Sequence, residues 1–596
     1  VLRRRKLDQS PDELVIAGTA AMLAFSDRQN LPRTQMQGNA AAITEILSLN
    51  SVPLAYLHGR TDSSLAPLFE SAEFSRALLG HRHKYSQWKE AFTAVRDLFL
   101  SDRVEYVFIK SPSLFPYTSG NLDVMVRERD FARAGQLLER AGFVELKNIR
   151  EPHKYLYKRL HCGKEVIAIH LHSRIFWGAT FVDPDTPWSR GNRLKPFDDV
   201  VVPLSPEDCL LTTFAHSFYE NSAIRLLDLC IVKHLVDGRK VEWSYLQSTA
   251  RAARWEEGLH LSVLAYQRLH QEIFGGSLFP QEVLQDARQF IGRRILLRGA
   301  GRGLEEAKVT LPLYLPLVTS KLLGFKKVIQ SREFGGICHR TAHLVKLLTE
   351  IVIIHILRVN PQRGMLIALS GIDGSGKTSY ARALLEALGN CGLKAGYVWT
   401  RVGSQTGFQT LAKRWTRKAI KSDRTAESQP TADRFLKTRA ILSHGWRSRA
   451  WKAVNLVDLC LFYNLALRLR LLRRQVVVCD RYVPDIFVDL HVYDRSPPGD
   501  VWLKLLRCCL PRPAINILLT AAVDLALNRS SDSEPPCMES LSIQARLYDQ
   551  AAEVLDLAIV DSGHREFGEV CDDVVGRAVG QYYRRKCVWF GWDQDK

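Results

Sequence analysis

What this chain lacks narrows its function first. No apolar run reaches the roughly 18 uncharged residues needed to cross a bilayer. The strongest, Leu344 to Leu357, is interrupted by Lys346 and Glu350. The basic cluster Arg3-Arg4-Arg5-Lys6 is followed by no apolar stretch of the kind that opens an export signal. Neither membrane spanning nor export is expected, and the opening on Val1 leaves processing, an alternative start or a truncated record open. The 12 cysteines show no CxxC pairing, and only Cys508 and Cys509 are adjacent, so neither a zinc ribbon nor a disulfide framework is indicated. A reducing, cytoplasmic setting fits this pattern. No internal repeat is present, and no recognised nucleic-acid module or aromatic stacking platform is evident.

The composition is that of a globular protein, 46% apolar and 24% charged, which excludes disordered and fibrous classes. At 596 residues the chain has room for about three to four domains. Its net charge of +19, gathered in stretches such as Arg468 to Arg474, calls for an anionic partner. A phosphorylated small molecule satisfies that demand without nucleic acid, which is not expected as a partner; many such clusters are solvated helix faces. A homodimer is compatible with the sequence.

The sequence divides into four stretches: 1–95, mainly helical; 96–295, a mixed α/β pattern with a helical tail; 296–362, a helical connector; and 363–596. In the last, apolar segments at Leu366–Leu369, Ala395–Trp399, Gln475–Cys479, Ile515–Leu519 and Leu557–Val560 alternate with helical material. That alternation predicts an α/β domain with a parallel sheet wrapped by helices.

GIDGSGKTS at 371–379 follows the first of these strands and opens a helix. Gly371, Gly374 and Gly376 let the backbone curl so that its N–H groups, with those of Ser375 and the helix start, cradle phosphate oxygens. Lys377 supplies a mobile charge for the outer phosphates, Thr378 a hydroxyl for Mg²⁺, and Ser379 a polar group for the first helical turn. ATP and Mg²⁺ are the cofactors this spacing predicts. A second cluster, Asp480-Arg481-Tyr482, ends the strand Val476–Cys479. Asp480 is read as a ligand for Mg²⁺ or its water, against a plain cap or turn role, and Arg481 as a grip on a second phosphate.

On these motifs, residues 365–575 resemble the thymidylate kinase family of nucleoside monophosphate kinases. Thr400-Arg401-Val402-Gly403 stands at the family's second-strand TREPG segment, Asp480-Arg481-Tyr482 at its DRY motif, and Asp524 to Arg529 at its AL-x-R helix. The resemblance implies a three-layer P-loop domain that transfers the γ-phosphoryl group of Mg·ATP to an acceptor phosphate, with Lys377 and Arg481 stabilising charge. It also makes Asp373 a candidate contact to the acceptor, against a plain loop carboxylate. The chain departs from the family at informative places. The loop has Gly374-Ser375 where an Arg could stand, and the lid-like stretch Ser530–Ser540 has neither Arg nor Lys, leaving Arg529 as the substitute. Val483 to Leu490 does not reproduce the base-recognising segment, so the acceptor is dTMP-like or another phosphorylated molecule. The basic stretch from Gly403 to Val454 reads either as an acceptor lid or as an amphipathic helix with a solvated face.

In the amino-terminal half, Tyr106–Lys110 and Gly120–Val126 read as two strands, with Asp123 on the second. With Glu165 to His172 and helices over Leu204–His216 and Arg225–His234, they resemble an uncharacterised nucleotidyltransferase-like family over about 85–275 and imply an α+β domain. Metal-assisted nucleotidyl transfer wants two or three carboxylates around paired Mg²⁺. Here Asn121 occupies the usual first position, and the third strand reads Ala168-Ile-His-Leu-His172. Lys110, Asp123, His170 and His172 are the site candidates. The two histidines share one strand face and read either as metal ligands or as a hydrogen-bonded surface pair. His216 and Asp228, on apolar helices, read as structural. The expected function is phosphoryl transfer by the carboxy-terminal half. The alternatives are nucleotidyl transfer in the amino-terminal half and a non-catalytic ATP-binding switch.

Overall fold

The computed structural model describes residues 9–25, 40–58, 65–109, 121–146, 153–161, 164–190, 204–238, 241–306, 308–331, 333, 335–350, 352–353, 357, 359–360, 363–399, 446–494, 499, 501–529 and 537–584. Lys110, the Thr400–Gly403 segment and most of the basic stretch after it lie outside the described residues. The fold is α/β. It divides into two compact units, Val1–Tyr157 with Ile167–Thr349, and Lys158–Val166 with Glu350–Lys596. No described helix is long and apolar enough to cross a membrane.

The amino-terminal sheet contains β1 (Tyr106–Phe108), β2 (Asn121–Val126), β3 (Val144–Leu146), β4 (Lys154–His161) and β5 (Lys164–His172), in the spatial order β1-β2-β5-β4-β3. It is mixed, since β1 runs antiparallel to β2 and β2 parallel to β5. Strand periodicity sends Leu122, Val124, Val126, Ile169 and Leu171 to one face, where they form a core with Trp88, Phe92 and Phe99 of the long helix Ala72–Ser101. That helix starts where Ser71 accepts a hydrogen bond from the Phe74 N–H, and its buried residues recur at three- and four-residue spacing. The intervening residues of β2 and β5, among them Asp123, Met125, His170 and His172, therefore share the other face, where Met125 joins a large helical core.

Two helix boundaries differ from the sequence reading for local reasons. The helix expected from Leu204 begins at Pro206, because Ser205 caps it by accepting from the Asp208 N–H and Pro206 fits the first turn. It passes at His216 into a π-helical turn, His216–Asn221, that closes on Ser222 in a left-handed conformation. The next helix is Leu226–Gly238, and Asp228 anchors its start by accepting from the Arg225 N–H at 3.0 Å. A two-stranded ribbon, β6 (Ala223–Ile224) with β7 (Leu313–Tyr314), follows the π-turn.

In the second unit β8 (Met365–Gly371), β9 (Ala395–Trp399), β10 (Val476–Asp480), β11 (Ile515–Thr520) and β12 (Ala558–Asp561) form a sheet in the order β12-β11-β8-β10-β9, with every pairing parallel. β8 and β10 are buried along their whole length, which is why both read as unbroken apolar runs rather than alternating ones. Leu366, Ala368, Val477, Cys479 and Leu518 face one core, shared with Tyr463, Phe487 and Tyr548 from helices on that side. The strand order turns about β8, with β10 on one side and β11 on the other, so the carboxyl ends of these strands border the crevice where ligands of such sheets bind.

Candidate functional site

The loop after β8 leads into the helix Lys377–Asn390. Gly374 and Gly376 both have φ of 87°, a conformation that residues with a Cβ adopt only under strain. The turn closes where the Ser375 N–H donates to Ile372 O at 3.1 Å. The Ser375 hydroxyl is buried with no partner among the described residues. Lys377 is folded back onto the loop, donating to Gly371 O at 2.6 Å and Ile372 O at 2.8 Å. Burial, and then the neighbouring Arg481 guanidinium, hold its ammonium below the ordinary lysine range.

β10 delivers Asp480 to the same place. Its carboxylate is fully buried, and one oxygen accepts from the Thr378 hydroxyl at 2.7 Å and the Tyr397 hydroxyl at 2.8 Å. The other oxygen has no partner among the described residues. The Asp480 carboxylate is thus directed at the first turn of the helix Lys377–Asn390. Arg481 adopts φ of 82° and pairs with Asp373. Asp373 also lies 3.7 Å from Lys377 Nζ, so the loop carboxylate is bracketed by both cations.

A cavity of about 580 Å³ is lined by the whole loop from Asp373 to Ser379, together with Arg481 and Arg529. Arg529 is oriented by donating to Ser562 O at 2.9 Å. Arg565, also in the lining, is held by Asp573 at 3.1 Å. Phe567, half-exposed, stacks on Tyr380 with ring centroids 4.9 Å apart and planes at 16°. The segment that departs from the kinase pattern is built for packing: Tyr482 N–H donates to Asp485, which also accepts from the Tyr548 hydroxyl at 2.7 Å and caps the helix Val483–His491.

The first unit has its own polar cluster. β2 and β5 are in register with Asp123 opposite His170 and Met125 opposite His172. His170 Nδ1 lies 3.1 Å and His172 Nε2 3.2 Å from the same Asp123 oxygen. The ligand atoms of the three residues all lie within 4.8 Å of one another. The surface-pair reading of the histidines is corrected here: His172 is fully buried and His170 mostly so, on the face whose Met125 joins the large helical core. Burial is the main cause that pushes His172 down to about 4, against the hydrogen bond and charge of Asp123, so its imidazole is neutral at physiological pH. Beside it, buried Lys154 pairs with Glu220 at 3.1 Å, and Glu220 in turn lies 3.2 Å from His216 Nε2. The π-helical turn carries both His216 and Glu220.

Residues 118–271 match the family described as uncharacterised nucleotidyltransferase. The matched stretch contains Asp123, His170, His172, Lys154 and Glu220. No curated protein matches the chain.

Several residues of the two polar clusters and of the cavity escaped the sequence reading. Tyr397 reaches Asp480 because β9 is the neighbour of β10, with Tyr397 in register with Val478. Arg565 and Phe567 follow β12, far along the chain from the phosphate loop. Lys154 and Glu220 form an ion pair across 66 positions, which no local pattern announces.

Proposed function

We propose that this chain is a nucleotide-dependent transferase whose second unit binds Mg·ATP at 371–379 and moves the γ-phosphoryl group to a phosphorylated acceptor, with nucleoside monophosphates such as dTMP the first class to test. The observation that carries this reading is the buried Asp480 carboxylate held 2.7 Å from the Thr378 hydroxyl at the mouth of the glycine loop. A hydroxyl and a carboxylate are hard oxygen donors, and the unpartnered Asp480 oxygen leaves capacity for a cation, so the donor set fits Mg²⁺. When bound there, Mg²⁺ would neutralise phosphate charge and hold the phosphates in a reactive arrangement.

The protein's own share is positioning and charge. Backbone N–H groups of the loop and the positive end of the Lys377–Asn390 helix bind phosphate oxygens. Lys377, released from Gly371 O and Ile372 O, supplies an ammonium to the outer phosphates. Arg481, kept in place by Asp373, faces the acceptor phosphate, and Arg529 and Arg565 supply the positive charge that the lid-like stretch lacks. The acceptor is a small phosphorylated molecule rather than nucleic acid, and a cytoplasmic setting suits its supply.

A second reading, nucleotidyl transfer by the first unit, is favoured by the match over 118–271. One experiment separates the two. ADP release from Mg·ATP is followed across nucleoside monophosphates for the parent chain, Lys377→Ala and Asp123→Ala. Acceptor-dependent release lost with Lys377→Ala and kept with Asp123→Ala supports phosphoryl transfer. Pyrophosphate release in place of ADP, lost with Asp123→Ala and kept with Lys377→Ala, supports the first unit. ATP binding without turnover by either route leaves a nucleotide-binding switch.

A further inference from the structure

We infer that Asp123, His170 and His172 hold a single divalent transition-metal ion, and that the first unit is built for the Zn²⁺ class of ion rather than for the paired Mg²⁺ of metal-assisted nucleotidyl transfer. The inference is independent of what the second unit does.

The donor set decides against paired Mg²⁺. Two such ions require two or three converging carboxylates. The face that β2 and β5 present carries one, Asp123, with Asn121 two residues before it and imidazoles at 170 and 172. One negative charge and two neutral nitrogen donors match ions that take imidazole, whereas Mg²⁺ prefers an all-oxygen shell.

The geometry favours a single ion. Metal–ligand bonds of about 2.1 Å set adjacent donor atoms roughly 3.0 to 3.4 Å apart in octahedral or tetrahedral arrangements. His170 Nδ1 and His172 Nε2 stand 3.1 Å and 3.2 Å from one Asp123 oxygen, so both nitrogens converge on the same small region. Only modest side-chain rotation then separates the hydrogen-bonded arrangement from a coordinated one. Three protein ligands leave at least one position open for water or substrate, as in catalytic rather than structural sites. The backbone supports the site, because the ligands come from two adjacent strands interior to a sheet rather than from loops.

The test uses the full chain, dialysed against Zn²⁺ and separately against Co²⁺, with bound metal quantified by elemental analysis and a large excess of Mg²⁺ as competitor. Expected are one more Zn²⁺ per chain than an Asp123→Asn/His170→Ala variant retains, and an affinity at least about 100-fold weaker in that variant. The Co²⁺ form should show d–d absorption without a thiolate charge-transfer band, and Mg²⁺ should not displace either ion. Equal zinc retention by parent and folded variant, displacement by Mg²⁺, or a thiolate band as the sole cobalt signature would each overturn the inference. Because Asp123 is buried and its substitution could unfold the unit, the cobalt spectrum and magnesium competition of the parent chain decide the matter without any variant.

Discussion

Adding one methyl group at Gly374 should disable the second unit's site while leaving its fold in place. A Cβ there would sit 2.1 Å from the Ala526 carbonyl oxygen, 2.8 Å from its carbon and 3.0 Å from the Ala526 Cα. These are backbone atoms of the helix Val523–Arg529, so no side chain can rotate away. Either the loop or that helix must move by about 1 Å to restore an ordinary contact. The φ of 87° adds a further cost of about 1–2 kcal/mol for any residue with a Cβ. A displacement of about 1 Å in positioned groups lowers rates by about 100-fold. An equal loss in nucleotide affinity corresponds to roughly 2.7 kcal/mol. The assay is equilibrium titration of Gly374→Ala with a fluorescent ATP analogue and Mg²⁺, with circular dichroism to check folding. Gly392→Ala is the matched control, because φ there is 73° but nothing lies within 4 Å of the added Cβ. It carries the backbone strain without the collision and should bind as the parent does. If folded Gly374→Ala binds within about twofold of the parent, or if Gly392→Ala loses as much, the loop is not the phosphate cradle and the reasoning fails.

Two other substitutions probe separate links in the chain of cause. Asp480→Asn keeps an oxygen that can accept from Thr378 and Tyr397, so the unit should stay folded, while the Mg²⁺-dependent part of ATP affinity falls by about 100-fold, or roughly 2.7 kcal/mol. Titrations with Mg²⁺ and with EDTA check this, and an undiminished difference between them in the variant would count against Asp480 as a metal ligand. His270 tests burial instead of chemistry. It is 3% exposed, and burial, then the Lys233 charge, pushes it down to about 4 against the Asp237 charge and a backbone hydrogen bond at Gly276. Above about pH 6.5 the ring is neutral folded or unfolded; below it the unfolded chain takes up the proton and the folded one does not until about pH 4, so stability falls as pH drops through that window. His270 should account for about 2 kcal/mol of the first unit's loss between pH 7 and pH 5, read as the difference between urea unfolding of the parent and of His270→Phe, while buried His172, also pushed down to about 4, keeps a loss of similar size in the variant.

The local chemistry of the second unit was legible because its signals are contiguous. An apolar run, a glycine loop and a helix start within 365–380 specify a strand, a turn with positive φ and a helix terminus, and those requirements are met by residue type alone. Asp480 was legible at the end of the unbroken run Val476–Cys479, where it reads as a ligand for Mg²⁺ or its water, but its hydrogen-bond partners were not. Those depended on β10 lying beside β8, which places Asp480 in register with Leu369 and its carboxylate on Thr378. The same applies to the polar face of the first unit. Strand periodicity predicts that His170 and His172 share a side, but it cannot say whether that side is wet or buried. Tertiary packing decided it, by bringing the helical core that Met125 joins onto that face.

The division follows from range. Backbone conformation is set by neighbours a few positions away, so sterics and hydrophobic pattern along the chain are enough to determine it. Convergence of charge is set by which strands are adjacent. Arg529 and Arg565 reach one cavity, Tyr397 reaches Asp480, and Glu220 reaches Lys154 only after the sheets and helices have packed. Hydrophobic burial selects that packing without reference to the polar groups it brings together.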